Sequence, residues 1–582
     1  MKYTLLMALS ALAFSTTLPA ASLVEDPMPD PAGLAINRGR MISFAHTLPR
    51  MKNGKAACGL YNNPEWSVPG LLSAQDSRLG LFLQRLRETI TANRRLLFID
   101  GKVIVCNHNW IRDHVQQMKG WMHWERDPLT FLQFMIDTQR PDGQYYELVK
   151  QLDDVHWKFV PRDCRILYPE DNLSLVRLEL EADVEYLVVE GAMHVYRMTG
   201  DDRWLASVLP RLEKGIDYQT SDPKRWDAET RLCIRPYTID TWDFTTEARS
   251  SGDRSIHPDE TMCAMHGDNT GVYQAMSQLA WFNDRLGNFA KASEWRRRAE
   301  ALKADIMKTL WNGRFFVHQY PVRGGKALDA HEAERLSLSD SYALNRGILS
   351  PSQCRSVVDE FQARRKTTKA FAEFFSIDPA YEPSFKEYPP GQYVNGGISP
   401  FTAGELAKGA FACGRETYAW DILQRFEAML ESDGEIYFLY DPVTKKALGG
   451  GPSAWGAAAL MDAVDKGLAG IVDAGTGYDA IDFSPRWPVT HYREIRYATG
   501  YELTGKYVDC RGILADAGLR YHLRSPARKI RAHILLPDGK RAVKLLVNGV
   551  ETKFETASVD HSLYVDAAVA VTNGVADFEV LY

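Results

Sequence analysis

The sequence predicts a mainly α-helical fold, an (α/α)6 toroid of about twelve helices followed by a small C-terminal β-sandwich. Three observations support this prediction. Helical periodicity alternates with Gly-, Pro- and Asp-rich loops from residue 77 to 475. The helical segments come mostly in pairs, without the fixed period of a helical repeat. From about residue 476, β-branched and aromatic residues instead alternate between turn sequences. A right-handed helical solenoid is the structural alternative.

Apolar residues spaced by three and four positions mark the helices. The clearest case is the segment from Ala292 to Leu310, in which the apolar side chains share one face. Just before it, Asp268 or Asn269 is predicted to cap a helix that Gly287 ends. Further helices are predicted over residues 77–94, 114–122, 128–138, 181–198, 202–218, 339–346, 351–364, 401–413, 416–431 and 453–468.

The C-terminal region has the sequence pattern of a β-sandwich. Pro-Asp-Gly at 537–539 and Asn-Gly at 548–549 are typical of hairpin turns. We interpret this region as a structural cap rather than a catalytic unit. The predicted organisation is a signal peptide (1–22), an N-terminal extension that packs on the toroid (23–76), the catalytic toroid (77–475) and a β-sandwich-like domain (476–582).

The N-terminus has the pattern of a cleavable secretory signal. Lys2 provides a short positive region, Leu5 to Phe14 is apolar but too short to span a bilayer, and small residues follow at Ala20 to Ser22. No later segment is long and apolar enough to cross a membrane. We therefore expect the mature protein to be periplasmic or secreted.

Composition excludes several classes of function. Of the 582 residues, 45% are hydrophobic and 25% charged, and the net charge is −6. These values suit a folded protein without the basic surface of a nucleic-acid binder. The eight cysteines have no close pair, which excludes a zinc ribbon and a CxxC redox motif. We expect no organic cofactor. A structural calcium is compatible with such a fold, although the sequence has no consensus calcium loop.

Two acidic segments are candidates for catalysis. Asp240 and Asp243 flank Trp242, whose apolar ring favours a protonated carboxyl group nearby. Glu435 lies between the eleventh and twelfth predicted helices, before a glycine-rich turn. Inverting glycoside hydrolysis needs two carboxyl groups roughly 6.5–9.5 Å apart. We expect the segments around 243 and 435 to face each other across a hollow. A Thr/Asp-rich turn and a solvated Asp-Gly-Glu turn are the respective alternatives.

Further residues are candidates for holding a sugar. An Arg-Asp pair beside an indole can hydrogen-bond to hydroxyl groups while the ring stacks on a pyranose, and glycines allow close backbone approach. The predicted substrate contacts are Trp110, Arg112, Asp113, Trp242, Asp268, Asn269, Tyr393, Asn395 and Trp455. The loops that carry them could equally be rigid connections.

Taken in order, these segments resemble the six-hairpin glycosidase superfamily. The resemblance spans about 400 residues, from Trp-Ile-Arg-Asp at 110–113 to Ala-Gly-Ile at 469–471, and the nearest patterns are those of processing glucosidases, trehalases and disaccharide phosphorylases. It includes the tracts 391–423, 440–464 and 470–488. The individual motifs are short, so their order carries the resemblance. It implies an (α/α)6 glycoside hydrolase, which we expect to be exo-acting and inverting, although the sequence itself does not distinguish exo from endo action.

The resemblance also implies where the catalytic carboxyls lie. The general acid is expected after the fifth helix, where Asp243 matches best and Asp240 second. The base is expected two residues before Tyr-Asp-Pro, where this chain has Phe438. Glu435 is the nearest substitute, with Asp433 and Asp441 as the other candidates.

This departure from the pattern leaves other reactions open. Phosphate could replace the base, as in phosphorylases, although export disfavours phosphorolysis. A polysaccharide lyase could recruit His108, Asn109, His266 and Tyr393. A non-catalytic glycan-binding protein is the remaining alternative. In every case the predicted partner is an oligosaccharide or polysaccharide, and the sequence predicts neither a nucleic-acid partner nor a membrane span.

Overall fold

The computed structural model describes residues 42–43, 70–71, 78–152, 160, 164–240, 255–324 and 330–582. The described residues contain twelve α-helices: α1 (Arg78–Thr91), α2 (Ile111–Trp121), α3 (Thr130–Asp137), α4 (Val184–Thr199), α5 (Asp202–Gln219), α6 (His266–Arg285), α7 (Phe289–Leu310), α8 (Leu338–Ala343), α9 (Pro351–Thr367), α10 (Pro400–Ala412), α11 (Glu416–Asp433) and α12 (Ala454–Asp462). A π-helical turn, Ala463–Leu468, follows α12 directly. Short 3₁₀ turns occupy Pro169–Asp171, Glu332–Glu334 and Trp487–Val489.

Alternate helices form a closed series of contacts. Helix α2 packs on α4, α4 on α6, α6 on α8, α8 on α10 and α10 on α12, and α12 packs back on α2. The other helices lie against these six: α1 on α2 and α12, α3 and α5 on α4, α7 on α6, and α9 and α11 on α10. The predicted mainly helical architecture of about twelve helices is confirmed.

Helix α7 shows why the periodicity in the sequence was informative. The six side chains of its predicted apolar face are Ala292, Trp295, Ala299, Leu302, Ile306 and Leu310, and all are buried. The intervening positions are mostly charged and face away from the core. Burial of this one stripe holds α7 against α6.

The predicted start of α6 is wrong. The helix begins at His266, two residues before the proposed cap, because the strand Met262–Met265 leads directly into it. Asp268 and Asn269 therefore lie in its first turn. The predicted end is confirmed: Gly287 has φ +78°, and its N–H donates to the carbonyl oxygen of Asp284 at 3.1 Å.

Short β-sheets occupy several loops between the helices, which the sequence analysis did not predict. Each strand is brief and pairs with a partner that is often distant in sequence. The strands are Ile42–Ser43, Arg95–Ile99 and Lys102–Cys106; Leu148–Gln151, Arg165–Tyr168 and Leu173–Val176; Trp226–Asp227 and Leu232–Cys233; Arg235–Pro236, Met262–Met265 and Gln319–Arg323; Leu336–Ser337 and Ile377–Asp378; and Tyr437–Tyr440 and Ala447–Pro452.

The C-terminal region forms two sheets, as its sequence predicts. One has the strand order Ile471–Asp473, Ala480–Phe483, Lys529–Leu535, Ser562–Ala570, Glu555–Val559. The other has the order Gly70–Leu71, Glu494–Tyr501, Lys506–Ala515, Gly518–Arg524, Val575–Leu581, Lys544–Val547, Val550–Glu551. Phe483 of the first sheet contacts Tyr521 and Phe578 of the second, with ring centroids 5.6 and 5.9 Å away.

Two further observations concern cysteines and helix hydropathy. Seven cysteines lie in the described part of the chain and none of them is paired there, whereas Cys58 lies outside it. No helix within the described ranges combines the length and the apolar character that crossing a bilayer requires. Apart from the strands Ile42–Ser43 and Gly70–Leu71, residues 1–77, with the predicted signal peptide, lie outside the described residues.

Candidate active site

A narrow hollow lies where five of the six alternate helices meet one loop. Helices α2, α4, α6, α8 and α12 or the residues beside them contribute all but one of its lining side chains, and the loop contributes Asp240. Its volume is about 20 Å³, room for about one water molecule. The lining residues are Arg112, Gln116, Asp183, Tyr186, Leu187, Asp240, Asp268, Ser339, Tyr342, Arg346 and Trp455.

Asp240 is fixed in this hollow by contacts on two sides. Its backbone N–H donates to Nε2 of His318 at 3.2 Å, and the hydroxyl of Ser337 donates to its Oδ2 at 3.1 Å. Gly267 of α6 lies so close that a Cβ there would be 2.6 and 2.8 Å from the two carboxylate oxygens. The carboxyl group, 2% exposed, therefore has one well-defined position.

His318 is held in turn by a buried acid. Because its Nε2 accepts from Asp240, its proton is on Nδ1, which donates to Oε1 of Glu332 at 2.7 Å. Tyr237, Tyr381 and Arg335 donate to Oε2 of the same carboxylate at 2.8, 3.2 and 3.2 Å. Burial alone would raise the pKa of Glu332, but His318 and Arg335 outweigh it and hold the pKa below its usual range. Glu332 therefore stays ionised and fixes the histidine tautomer.

Asp183 has a different role because it is paired with a cation. Two guanidinium nitrogens of Arg112 donate to its two carboxylate oxygens, and Arg112 also bonds Glu181. Burial raises the pKa of Asp183, but the charge of Arg112 outweighs that effect and leaves the pKa lower than usual. This pair orients Arg112 at the wall of the hollow.

Asp268 is a buried carboxyl group of the same hollow. Burial raises its pKa to about 7, with Arg235 opposing the rise and Asp240 and Asp183 adding to it. Its Oδ2 and the Oε1 of Gln116 are buried and have no hydrogen-bond partner among the described residues. Such atoms in a hollow suit a ligand that carries hydroxyl groups, because an unpaired buried polar atom costs about 1–3 kcal/mol.

Tyr342 and Arg346 separate the hollow from a second cavity behind it. The indole N–H of Trp455 donates to the hydroxyl of Tyr342 at 2.7 Å, and Arg346 donates to the carbonyl oxygen of Gly267 at 2.6 Å. Both separating side chains also line the rear cavity, which measures about 580 Å³. Its wall includes the ion-paired side chains of Lys119, Glu405, Lys408 and Asp462.

The family of the chain follows from a comparison with family models. The model described as "Mannosylglycerate hydrolase MGH1-like glycoside hydrolase domain" matches residues 108–455, more than half of the chain. The chain belongs to this family. No curated protein matches the sequence significantly.

Solved structures that resemble this MGH1-like chain include two rhamnosidases. The α-L-rhamnosidase from Dictyoglumus thermophilum is 12% identical with a TM-score of 0.54, and the match covers 89% of this chain and 51% of that one. The GH78 family rhamnosidase of Bacillus sp. GL1 is 13% identical with a TM-score of 0.55, covering 81% and 43%. The chain thus spans about half the length of these proteins, and at such identity the similarity concerns the fold alone. A GH63 mannosylglycerate hydrolase from Thermus thermophilus is 16% identical with a TM-score of 0.45, covering 66% and 99%.

Within the MGH1-like domain, the structure brings four of the predicted site residues together. Arg112, Asp240, Asp268 and Trp455 all line the hollow.

Four other predicted contacts have separate surroundings. Trp110 packs against the apolar cluster around Leu148, and Asp113 lies 3.8 Å from His108. Asn269 bonds the backbone of Cys233 and Met265, and Asn395 bonds that of Tyr381 and Tyr388. Both asparagines hold loops in place.

The described part of the structure does not show the predicted catalytic pair, Asp243 and Glu435, close together. Trp242 and Asp243 lie outside them. Glu435 follows α11, is half-buried and does not line the hollow. Asp433 is exposed at the end of α11, and the carboxylate of Asp441 accepts from the N–H groups of Val443 and Thr444 in a turn. The assignment of the base stays a prediction.

Most polar lining residues within or beside the helices were not predicted from the sequence. Asp183, Gln116, Tyr186, Ser339, Tyr342 and Arg346 line the hollow but were not proposed. Polar side chains on an inner helix have the spacing of a solvent-facing stripe, so periodicity assigns them to the surface. The usable signal was the large number of polar residues in segments whose other positions are strongly apolar.

Within the described residues, no group of three or more His, Cys, Asp or Glu side chains could hold a metal ion.

Proposed function

We propose that the chain hydrolyses a glycosidic bond in an oligosaccharide or polysaccharide, with Asp240 donating a proton to the leaving oxygen. The observation that carries this proposal is the group of three buried carboxyls, Asp183, Asp240 and Asp268, around one hollow with unpartnered hydrogen-bonding atoms. Family membership supports the same reaction class. Asp243 remains the alternative donor.

The proposed mechanism uses an acid and a base on opposite sides of the sugar. Asp240 protonates the departing oxygen, while a second carboxylate takes a proton from the attacking water, so the anomeric configuration inverts. Glu435 is the proposed base because of its position between α11 and α12 in the sequence, although its side chain does not line the hollow. Below pH 7 Asp268 is mostly protonated, so it can donate a hydrogen bond to a sugar hydroxyl.

The proposed scaffold is an (α/α)6 toroid with the hollow at its centre. The closed series of contacts through α2, α4, α6, α8, α10 and α12 supports this proposal. The similarity to the two rhamnosidase structures supports it as well.

The proposed mode of action is exo-cleavage, because Tyr342 and Arg346 close the rear of the hollow. A pyranose ring is larger than the space between the lining side chains, so binding requires those side chains to move apart. Mannosides and α-L-rhamnosides are the first substrates to test, since these sugars appear in the names of the family and of the similar structures.

The test begins with a glycan panel, in which released sugars and their initial anomeric form are measured by NMR. Asp240→Asn should abolish cleavage of natural glycosides but spare the matching glycosyl fluoride, since fluoride leaves without protonation. Glu435→Gln should impair both substrates, because the base activates water in each case. Each proton-transfer role contributes about 10²- to 10⁴-fold.

Four results would overturn the proposal: cleavage that requires phosphate, an unsaturated product, no product from any glycan, or full activity of Asp240→Asn. Asp217→Asn is the matched control, since it makes the same change in an exposed aspartate of α5, away from the hollow.

Export is proposed separately. The support is the N-terminal pattern from Lys2 to Ser22. Mass spectrometry of the protein recovered from the periplasm or medium should show a mature N-terminus near residue 23, and an intact Met1 in a cytoplasmic fraction would contradict export.

A further inference from the structure

A row of aromatic rings leads away from the hollow. Trp455 stacks on Phe401 with centroids 4.7 Å apart, and Phe401 contacts Phe438 at 5.3 Å. Phe438 contacts Tyr393 at 5.9 Å, and Tyr393 contacts Tyr388 at 5.2 Å. Trp455 and Phe401 are buried, whereas Phe438, Tyr393 and Tyr388 are half-buried. This aromatic row therefore connects the wall of the hollow to the solvent.

The outer part of the aromatic row is held in an unfavourable backbone conformation. Tyr393 has φ +49°, which is uncommon for a residue other than glycine. Gly449 of the facing hairpin has φ +86°, and a Cβ there would lie 2.8 Å from Cε2 of Tyr393 and 3.3 Å from Cδ1 of Phe438. Only glycine lets these two rings lie against the hairpin. Such a conformation persists only where the surrounding structure fixes it, so the position of the Tyr393 ring is well determined.

From this arrangement we propose that the aromatic row is the subsite for the leaving group, and that its occupant is a neutral sugar. The inference rests on the proposed function of the hollow. A pyranose in the leaving group would stack its apolar face on Phe438 and Tyr393 while the bond to be cleaved lies beside Asp240. Aromatic rings provide apolar contact area at low entropic cost.

The chemistry of the row excludes an acidic leaving group as its preferred occupant. The ring of Phe438 offers neither a donor nor a cation to a carboxylate, and a carboxylate that loses its water without a partner is strongly disfavoured. A neutral pyranose loses little, because its hydroxyl groups at the ring edge stay in water. The substrate class is therefore a neutral oligosaccharide with at least two sugar units.

The experiment compares two substrates and three variants. One substrate is the shortest neutral oligosaccharide cleaved in the panel, and the other is the glycosyl fluoride of its terminal sugar, which has no leaving-group sugar. Phe438→Ala should lower kcat/KM for the oligosaccharide about 5- to 10-fold and change that for the fluoride less than 2-fold. Phe438→Leu keeps most of the volume without the ring and should give a similar loss.

Tyr437→Ala is the matched control. Tyr437 precedes Phe438 in the same strand but packs against the main hydrophobic cluster, where its ring contacts Tyr440 at 5.8 Å, whereas Phe438 packs against the cluster that contains Phe401 and Trp455. This variant should leave both substrates unaffected. Thermal unfolding of all variants checks that they are folded at the assay temperature.

Several results would overturn the subsite. The first is an equal loss of kcat/KM on both substrates in Phe438→Ala, which would mean that Phe438 acts through the hollow. The second is no loss of kcat/KM on either substrate. The third is a preference for mannosylglycerate over mannobiose that Phe438→Ala does not alter. If the wild type cleaves nothing, the proposed function fails, and calorimetric titration with mannotriose then decides the subsite alone. Binding that Phe438→Ala weakens at least 5-fold supports it, whereas equal or absent binding overturns it.

Discussion

At the residue scale, the position of Asp240 depends on His318, which links its backbone to Glu332. His318→Ala leaves one carboxylate oxygen and one N–H group without these partners, which should lower the free energy of unfolding by about 1–3 kcal/mol. A shift of Asp240 should also lower kcat about 10²-fold with little change in KM. Thermal unfolding and steady-state kinetics measure the two effects.

The control for this change is His331→Ala. His331 makes a comparable contact with Glu334 at 3.5 Å, but on the exposed surface. His331→Ala should change neither the free energy of unfolding nor kcat. An unaltered kcat in folded His318→Ala would show that Asp240 needs no such support.

Asp268 gives the stability a predictable pH dependence. Its pKa of about 7 lies above the ordinary value of 3.8, so between these pH values the folded state retains a proton that the unfolded state has released. Asp268 therefore reduces stability as pH rises from about 4 to 7, and the effect is constant above 7.

Asp268→Asn removes this dependence. The melting temperature of the variant minus that of the wild type should rise from pH 4 to pH 7 and then level off. Ser339→Ala, in the same hollow, should show a constant difference across this range. A constant difference for Asp268→Asn as well would refute the assignment.

Residues in unusual sequence tracts could be identified from the sequence, whereas isolated polar residues within or beside the helices could not. Asp240 stood out beside Trp242, and Arg112 stood out in an Asn-Trp-Ile-Arg-Asp tract. Asp183 and Arg346 gave no comparable signal, since their role arises only when distant helices bring them to one hollow. Such a convergence is set by tertiary packing, which periodicity does not encode.

At the element scale, the first turn of α6 is fitted tightly against the loop of Asp240. Gly267→Ala would place a methyl group 2.6 Å from Oδ1 of Asp240 and against Ser339. The expected results are a loss of about 1–3 kcal/mol in stability and about 10²-fold in kcat. Denaturant unfolding and kinetics provide the measurements.

Gly191→Ala in α4 is the comparison for this prediction. A Cβ there would meet only Val115 and Leu132, at 3.0 and 3.1 Å. It should affect stability without a specific effect on kcat. Equal kinetic losses in the two variants would argue against a direct effect on Asp240.

Long helices followed from the sequence because a single apolar stripe suffices to define them, as in α7. Short strands such as Leu336–Ser337 did not, because two residues carry no periodicity and their pairing partner, Ile377–Asp378, is about forty residues away. The start of α6 was misplaced for a related reason. Met265, the last residue of a strand, is the N-cap, and its side chain makes no capping hydrogen bond, so no capping residue marks this start in the sequence.

At the scale of the whole molecule, the helices and the C-terminal sheets share buried polar contacts. The hydroxyl of Tyr497 donates to Asp465 at 3.2 Å, and Nδ1 of His123 donates to the carbonyl oxygen of Gly500 at 2.9 Å. Trp487 is fully buried near α11 and contacts the rings of Tyr492 and Tyr497. The two parts should therefore unfold together.

Trp487→Ala tests this coupling. It should cost about 3–5 kcal/mol and lower a single transition that is seen equally by helical circular dichroism and by near-ultraviolet signals. Trp204→Ala, a change in a half-buried tryptophan in the first turn of α5, should cost less. Two separate transitions would show that the sheets fold independently.

The side chains of Tyr342 and Arg346 line both the front hollow and the much larger rear cavity. Under the proposed exo-cleavage, these two side chains would make the hollow a dead end, and the freed monosaccharide would have to leave through the entrance by which the substrate came in. Removing the side chain of Tyr342 would connect the hollow and the rear cavity into one tunnel that is open at both ends. A polymer could then pass through without dissociating, so in the proposed mechanism the side chain of Tyr342 would favour cleavage at chain ends over processive cleavage along the chain.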